Sequence, residues 1–172
     1  MSVHSLSRNA MLALIGLTLV LHTTEEYLTF PAFLLSRDNP LLAWLPLPAL
    51  LHKSQELHVA LVLATVLPLL VIAWAIGSRR KALLVAVLLV ESVLSVNGFG
   101  HILASLVQGG YVPGLITAVL INLPFGVYVF QKAIKEQWIP PGEAWQVIGV
   151  AVLLHVAWLI SGFWMLRGAA FR

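Results

Sequence analysis

The 172-residue sequence contains no cysteine, and only 10% of its residues are charged. Without cysteine the chain has no disulfide bond, no thiolate nucleophile and no zinc–thiolate site. Because an average soluble domain carries roughly 25% charged residues, the chain has too few charges to cover a soluble globule. Its ten Lys and Arg residues give a formal net charge of only +3, which does not make a basic surface for phosphates. A soluble domain and a nucleic-acid partner are therefore both excluded.

Long apolar runs take the place of the missing charges. Hydrophobic residues make up 60% of the chain, and the mean hydropathy is +0.95. Since a membrane-spanning helix needs about 20 mostly apolar residues, the runs predict about five spanning helices in a single domain, residues 1–172. These helices cover residues 9–29, 55–77, 81–107, 112–133 and 143–166. The predicted fold class is an all-α integral membrane bundle, with the lipid bilayer as its first partner.

Prolines interrupt the apolar runs at defined places. Residues 30–51 are too broken by proline to span the bilayer, so we expect an interfacial or re-entrant segment after the first helix. The prolines of this segment are Pro31, Pro40, Pro46 and Pro48. Pro113 falls in the first turn of the fourth helix, where its missing N–H is tolerated. Pro124 lies inside the same helix and predicts a distortion there.

The basic residues of the loops predict the orientation of the bundle. With five helices, the N-terminus, the second loop and the fourth loop share one side, which carries six Lys and Arg residues against four on the other. The densest cluster on that side is Arg79-Arg80-Lys81. Because positively charged loops stay in the cytoplasm, we expect the N-terminus inside and the C-terminus outside, in a plasma or inner membrane.

Ionisable residues inside the predicted helices are the strongest functional signal, because burying Glu or His in a bilayer is costly. His22, Glu25 and Glu26 lie within an arc of about 100° on one face of the first helix. Asn97 and His101 are four residues apart and share one face of the third helix. Several such groups exceed what helix packing alone requires, so they predict a functional site.

Depth in the membrane brings these two groups together. At 1.5 Å per residue, both lie roughly 20–30 Å above the inner ends of their helices. His58 lies within about 5 Å of the outer end of the second helix, and the loop of residues 108–114 is at that same end. The sequence therefore predicts one polar site near the extracytoplasmic face.

Further polar residues leave their assignment open. Glu56 lies close to the outer boundary, where it suits either solvation or a further carboxylate ligand of the site. Glu91, Asn122 and His155 lie about ten to twelve residues into their helices, near the membrane midplane. Asn122 and His155 each suit an ordinary interhelical hydrogen bond. Glu91 and His155 also suit a separate pair, because Glu91 is some 80° around the helix from His101.

Three short motifs resemble the signature of a known family. They read His22-Thr-Thr-Glu25-Glu26, Asn97-Gly-Phe-Gly-His101 and Tyr111-Val-Pro113-Gly114, in that order. The chain thus resembles the HXXEE-motif membrane protein family, whose motifs are HXXEE, NXXXH and YXPG. The resemblance covers about half of the chain and implies that the named motif residues form the site. It implies no particular reaction.

The donor atoms of these residues favour a divalent metal. The predicted ligands are His22, Glu25, Glu26, His58 and His101. Such a mixture of imidazoles and carboxylates suits iron, manganese or zinc, as one ion or two. The predicted catalytic residues are Glu25, Glu26, Asn97 and Tyr111. Close to the membrane boundary, a metal enzyme of this kind is expected to act on a hydrophobic or lipid-borne small molecule.

Two other functions stay open at this point. The spacing of His22 and Glu26 is similar to the H-x-x-x-E arrangement of the emopamil-binding sterol isomerase family. That similarity implies a metal-independent acid–base isomerase or cyclase of isoprenoid or sterol-like substrates. Intramembrane Glu and His also suit a small transporter or binding protein, for which a homo-oligomer would supply the polar path that residues 82–90 lack.

Overall fold

The protein is described here by a computed structural model, which covers residues 6–35 and 47–170. Within these ranges the regular elements are all helical, with no β-strand. The elements are α1 (Arg8–Leu35), α2 (Leu47–Ile76), α3 (Lys81–Gln108), α4 (Leu115–Thr117), a π-helical turn (Ala118–Asn122), α5 (Leu123–Lys135) and α6 (Pro141–Ala170). Because α4, the π turn and α5 follow one another without a break, the chain forms five helical segments. The predicted all-α fold class is confirmed.

Four of these segments are long and apolar enough to cross a membrane. They are His58–Ile76, Lys81–Gln108, Leu115–Lys135 and Pro141–Ser161. Large apolar side chains such as Leu67, Leu106 and Leu153 are exposed on their outer surfaces, as expected for side chains that face lipid. The 28-residue α1 is not among the four, since His22, Glu25 and Glu26 lower its hydropathy. This is the construction of an integral membrane protein.

The helix ends differ from the predicted ends near the prolines. α1 continues through Pro31 to Leu35, and α2 begins at Leu47. The predicted interfacial segment 30–51 is therefore helical at both of its ends, while its middle, residues 36–46, lies outside the described residues. Pro113 precedes the fourth helical segment instead of lying in its first turn, because Gly114 has a φ of +84° and interrupts the helix there.

The distortion predicted at Pro124 takes the form of the π turn. Proline has no N–H, so the carbonyl four residues before it loses its α-helical donor. The hydrogen bonding shifts to the wider π spacing just before this point, and the N–H of Leu123 donates to the carbonyl of Ala118, five residues earlier. Such π turns are rare and occur often at functional sites.

The bundle is organised around α3, which contacts every other helix. Its first half packs into an apolar core that includes Ile15 of α1, Ile72 of α2 and Val147 of α6. The guanidinium of Arg8 donates to the carbonyl of Ser78 at 2.9 Å, and Lys81 pairs with Glu143 at 2.7 Å. The N-terminus, the second loop and the fourth loop therefore share one end, called the basic end below, as predicted. The polar motifs lie toward the opposite end, called the site end.

Candidate metal centre

Three possible metal ligands converge at the interface of α1 and α3. One ligand atom each from His22, Glu26 and His101 lies within 4.8 Å of the other two. His101 Nε2 is 3.1 Å from Glu26 Oε1, and His22 Nε2 is 3.7 Å from the same oxygen. The i, i+4 spacing places His22 and Glu26 one above the other on α1, so α3 needs to supply only the third group. His22 is buried, and Glu26 and His101 are 12% and 16% exposed.

Asn97 contacts both imidazoles of this group. Its Nδ2 is 2.8 Å from His22 Nε2 and 3.0 Å from His101 Nε2. Because an amide nitrogen carries two hydrogens, it can donate one to each ring. The lone pairs of both Nε2 atoms then point at Asn97 Nδ2. The spacing of Asn97 and His101, one turn apart on α3, makes this double contact possible.

Glu25 anchors α1 to the start of α4. Its Oε1 accepts hydrogen bonds from the Tyr111 hydroxyl at 2.7 Å and from the Ile116 N–H at 3.1 Å. Its Oε2 accepts from the N–H and the hydroxyl of Thr117, at 2.8 Å and 2.6 Å. A carboxylate at the first turn of a helix is also favoured by the helix dipole. These four hydrogen bonds direct Glu25 toward α4, and it is not one of the three converging ligands.

Thr117 connects Glu25 to His22, one of the three candidate ligands. His22 Nδ1 lies 2.8 Å from Thr117 Oγ1. Since the single hydroxyl hydrogen of Thr117 goes to Glu25, its oxygen must accept from the Nδ1–H of His22. The Nε2 of His22 is then unprotonated, in agreement with its contact to Asn97. No sequence pattern indicated a role for Thr117, because a threonine after a glycine turn is not distinctive.

Gly114 lies against the imidazoles of His22 and His101. A β-carbon at this position would be 2.8 Å from His101 Nε2 and 2.8 Å from His22 Cε1. The positive φ of Gly114 also favours glycine for conformational reasons. The neighbouring Val112 and Pro113 are buried and hold the turn against the bundle. The glycine of the third motif is thus required by close approach and by backbone geometry together.

Tyr111 lies on the outer side of Glu25, away from the converging ligands. Its hydroxyl donates to Glu25 and is 3.2 Å from Thr29 Oγ1. Burial raises the pKa of Tyr111 above its ordinary value, and the hydrogen bond to the Glu25 carboxylate acts in the same direction. The phenol therefore keeps its proton at neutral pH and serves as a donor.

His58 is not brought to the converging ligands. Its Nε2 donates to the backbone carbonyl of Tyr27 at 3.3 Å, and the two rings are 4.4 Å apart. Because Pro31 has no N–H, it leaves the carbonyl of Tyr27, four residues earlier, without its helical donor. His58 supplies a replacement donor from α2, and this contact supports α1 where it passes through Pro31.

The predicted pairing of Glu91 with His155 is wrong. Glu91 faces α5, where its Oε1 would be 3.0 Å from a β-carbon on Gly126. The Nε2 of His155 would be 3.3 Å from a β-carbon on Gly100, and His155 interacts electrostatically with His101 and Glu26. Positions 91 and 100 are about 13 Å apart along α3, so the two side chains serve different regions. His155 belongs to the edge of the candidate centre.

The comparisons with known proteins agree with the motifs. A family model described as "Protein of unknown function with HXXEE motif" matches residues 13–129. This range is more than half of the chain and contains every residue of the candidate centre described above except His155. No curated protein and no solved structure matches the chain. The chain therefore belongs to the HXXEE family, as its three motifs predicted.

Proposed function

We propose that the protein is a membrane-embedded, metal-dependent enzyme whose metal ligands are His22, Glu26 and His101. The observation that carries this proposal is the convergence of two imidazole nitrogens and one carboxylate oxygen within 4.8 Å. Two histidines and one carboxylate form the ligand set of many catalytic zinc sites and of non-haem iron(II) sites, both of which leave coordination positions open. Iron, zinc or manganese is the proposed cofactor.

The residues around the three ligands fit such an ion. A metal ligand needs an unprotonated nitrogen, and the Thr117 contact leaves His22 Nε2 in that form. Histidine ligands commonly donate their other N–H to a group that fixes the ring, which is the role of Thr117 backed by Glu25. Asn97 reaches the same point, and its amide presents either a donor or an acceptor there when its two ends exchange. When bound, the metal would supply a Lewis acid toward water or a substrate oxygen.

The four predicted catalytic residues fall into two groups according to the residues that they contact. Glu26 belongs to the ligands, and Asn97 touches both ligating imidazoles. Glu25 and Tyr111 contact α4 and each other instead, so we assign them a positioning role. They hold the turn that carries Gly114 and Thr117 against the two histidines.

The proposed substrate is hydrophobic or lipid-borne. The candidate centre lies between helices whose outer surface is apolar, and Leu28 and Phe99 beside it are 69% and 56% exposed. In a bilayer these side chains face lipid. A substrate that reaches the centre through this surface must itself be soluble in the membrane.

Metal analysis tests the proposal. We expect tag-free protein, purified in detergent without chelator and offered iron(II), zinc or manganese(II), to bind about one ion per chain. His22→Ala, Glu26→Ala and His101→Ala should each reduce the bound metal at least about tenfold, with unchanged helical circular dichroism. His58→Ala is the matched control, since it removes an imidazole outside the group. Wild-type protein that binds no metal, or a loss in His58→Ala as large as in His101→Ala, would contradict the proposal.

A metal-independent acid–base enzyme is the second candidate, because the polar groups already form a hydrogen-bonded network. Asn97 bridges the two imidazoles, and Glu26 lies 3.1 Å from His101 Nε2. Such a pair can exchange a proton with an isoprenoid or sterol-like substrate. Wild-type protein that binds none of the three offered metals would favour this candidate, and isomerase and cyclase assays with Glu26→Gln would then follow.

The proposed orientation places the basic end in the cytoplasm and the candidate centre near the extracytoplasmic face of a plasma or inner membrane. A cysteine-free chain allows a direct test with Gly110→Cys at the site end and Gly77→Cys at the basic end, both exposed positions. We expect a membrane-impermeant maleimide added to intact cells to label Gly110→Cys alone. Labelling of Gly77→Cys alone would reverse the orientation.

A further inference from the structure

A second polar cluster lies inside the bundle, between α3 and the π turn with α5. It consists of Glu91 and Ser95, which lie beside Gly126, and of Asn122, which is four residues before Gly126. Glu91 and Asn122 are completely buried. The Ser95 hydroxyl interacts with the Glu91 carboxylate, and neither group has a partner outside this pair. Both amide atoms of Asn122 lack hydrogen-bond partners. Since buried polar groups are nearly always satisfied, this cluster requires an occupant.

The geometry directs these groups to one region. A β-carbon on Gly126 would overlap Ser95 Oγ and would lie 3.0 Å from Glu91 Oε1. One turn further along α3, a β-carbon on Gly98 would be 3.4 Å from the Cβ of Ala118, which lies about two turns before Gly126. Asn122 lies four residues from both Ala118 and Gly126 and shares their helix face. It therefore faces α3 between these two contacts, at the level of Ser95.

We propose that this cluster binds a sodium ion. Every available ligand except the amide nitrogen is an oxygen, and hard cations select oxygen donors, whereas transition metals favour imidazole or thiolate. The single carboxylate of Glu91 balances one positive charge, which suits a monovalent ion better than calcium or magnesium. Among the described residues no basic side chain pairs with this carboxylate.

A proton on Glu91 is the alternative occupant, because it also neutralises the carboxylate and gives it one hydrogen to donate. A sodium ion contacts the Glu91 carboxylate, the Ser95 hydroxyl and the Asn122 carbonyl oxygen together. The absent side chain of Gly126 leaves room for the Ser95 hydroxyl beside the Glu91 carboxylate. The cluster uses none of the three proposed metal ligands, so the sodium site stands independently of the proposed enzyme.

Thermal unfolding of the full chain in detergent tests this inference. We compare NaCl, KCl and choline chloride at equal ionic strength, with intrinsic tryptophan fluorescence as the readout. At ten times the dissociation constant, sodium should raise the unfolding midpoint on the order of 3 °C relative to choline, and potassium should raise it less. Glu91→Gln, which keeps the side-chain volume, should abolish the sodium response, and Gly126→Ala should reduce it by filling the space.

Two further variants keep the outcome decisive. Ser95→Ala removes one neutral ligand and should weaken the sodium response, even if Glu91→Gln fails to fold. His101→Ala alters the proposed metal centre and should leave the sodium response unchanged. Equal midpoints of the wild type in NaCl and choline chloride would overturn the proposal. A sodium response that persists in both Glu91→Gln and Ser95→Ala would overturn it as well, because the ion would then bind elsewhere.

Discussion

Glu25→Gln is expected to weaken metal binding about 10–100-fold, although it replaces none of the three proposed ligands. The carboxylate accepts four hydrogen bonds from Tyr111, Ile116 and Thr117. An amide cannot accept at both ends, so half of these bonds are lost. The Thr117 hydroxyl is then free to donate to His22 Nδ1, which moves the imidazole proton to Nε2. That N–H points into the centre and opposes metal binding.

Metal affinity measured by competition with a chromophoric zinc chelator checks this expectation. Glu143→Gln is the matched control, because Glu143 pairs with Lys81 at the basic end. Thr117→Val should also weaken zinc binding, because it removes the hydroxyl that links Glu25 to His22 while the Glu25 carboxylate remains. Wild-type zinc affinity in both Glu25→Gln and Thr117→Val would show that the connection does not support the centre.

Gly114→Ala should both destabilise the chain and disrupt the candidate metal centre. The new β-carbon would be 2.8 Å from each of the imidazoles of His22 and His101, and the φ of +84° is strained for alanine. Strain and overpacking of this kind together lower the free energy of unfolding by about 2–5 kcal/mol. Since the two imidazoles must move apart, we also expect the loss of stoichiometric metal.

Gly109→Ala separates the effect of the backbone strain from the effect of the clash with the imidazoles. Gly109 has a φ of +71°, and a β-carbon there would meet nothing within 4 Å. This control therefore has the backbone strain without the clash. It should lower the free energy of unfolding by about 1 kcal/mol and leave the metal content unchanged. Urea or thermal unfolding in detergent gives the stabilities, and elemental analysis gives the metal. If Gly114→Ala bound as much metal as Gly109→Ala, the turn would not lie against the histidines.

The features that the sequence predicted correctly are those that depend on local spacing. The length of an apolar run is local information, so the helical segments and their order were predictable. The contact of Glu26 with His22 and that of Asn97 with His101 follow from four-residue spacing on single helices. The meeting of the two pairs was predictable from their equal depth in the membrane.

What the sequence did not predict depends on how each helix is rotated about its axis. His58 has a suitable depth, yet it faces the carbonyl that Pro31 leaves free rather than His22. Glu91 and His155 have similar depths but belong to different interfaces of α3. Thr117 contacts Glu25 only because the turn at Gly114 starts α4 beside α1. Neither the depth of a residue in the membrane nor the periodicity of the sequence specifies how a helix is rotated.

The extended X-ray absorption fine structure of the bound metal tests the proposed metal centre most directly, because it counts the imidazoles around the ion. For wild-type protein loaded with zinc or iron(II), we expect two imidazole ligands together with oxygen ligands. His101→Ala, loaded at excess metal, should retain one imidazole, and His58→Ala should retain both. A spectrum without imidazole ligands, or an unchanged imidazole count in His101→Ala, would contradict a metal centre built from His22, Glu26 and His101.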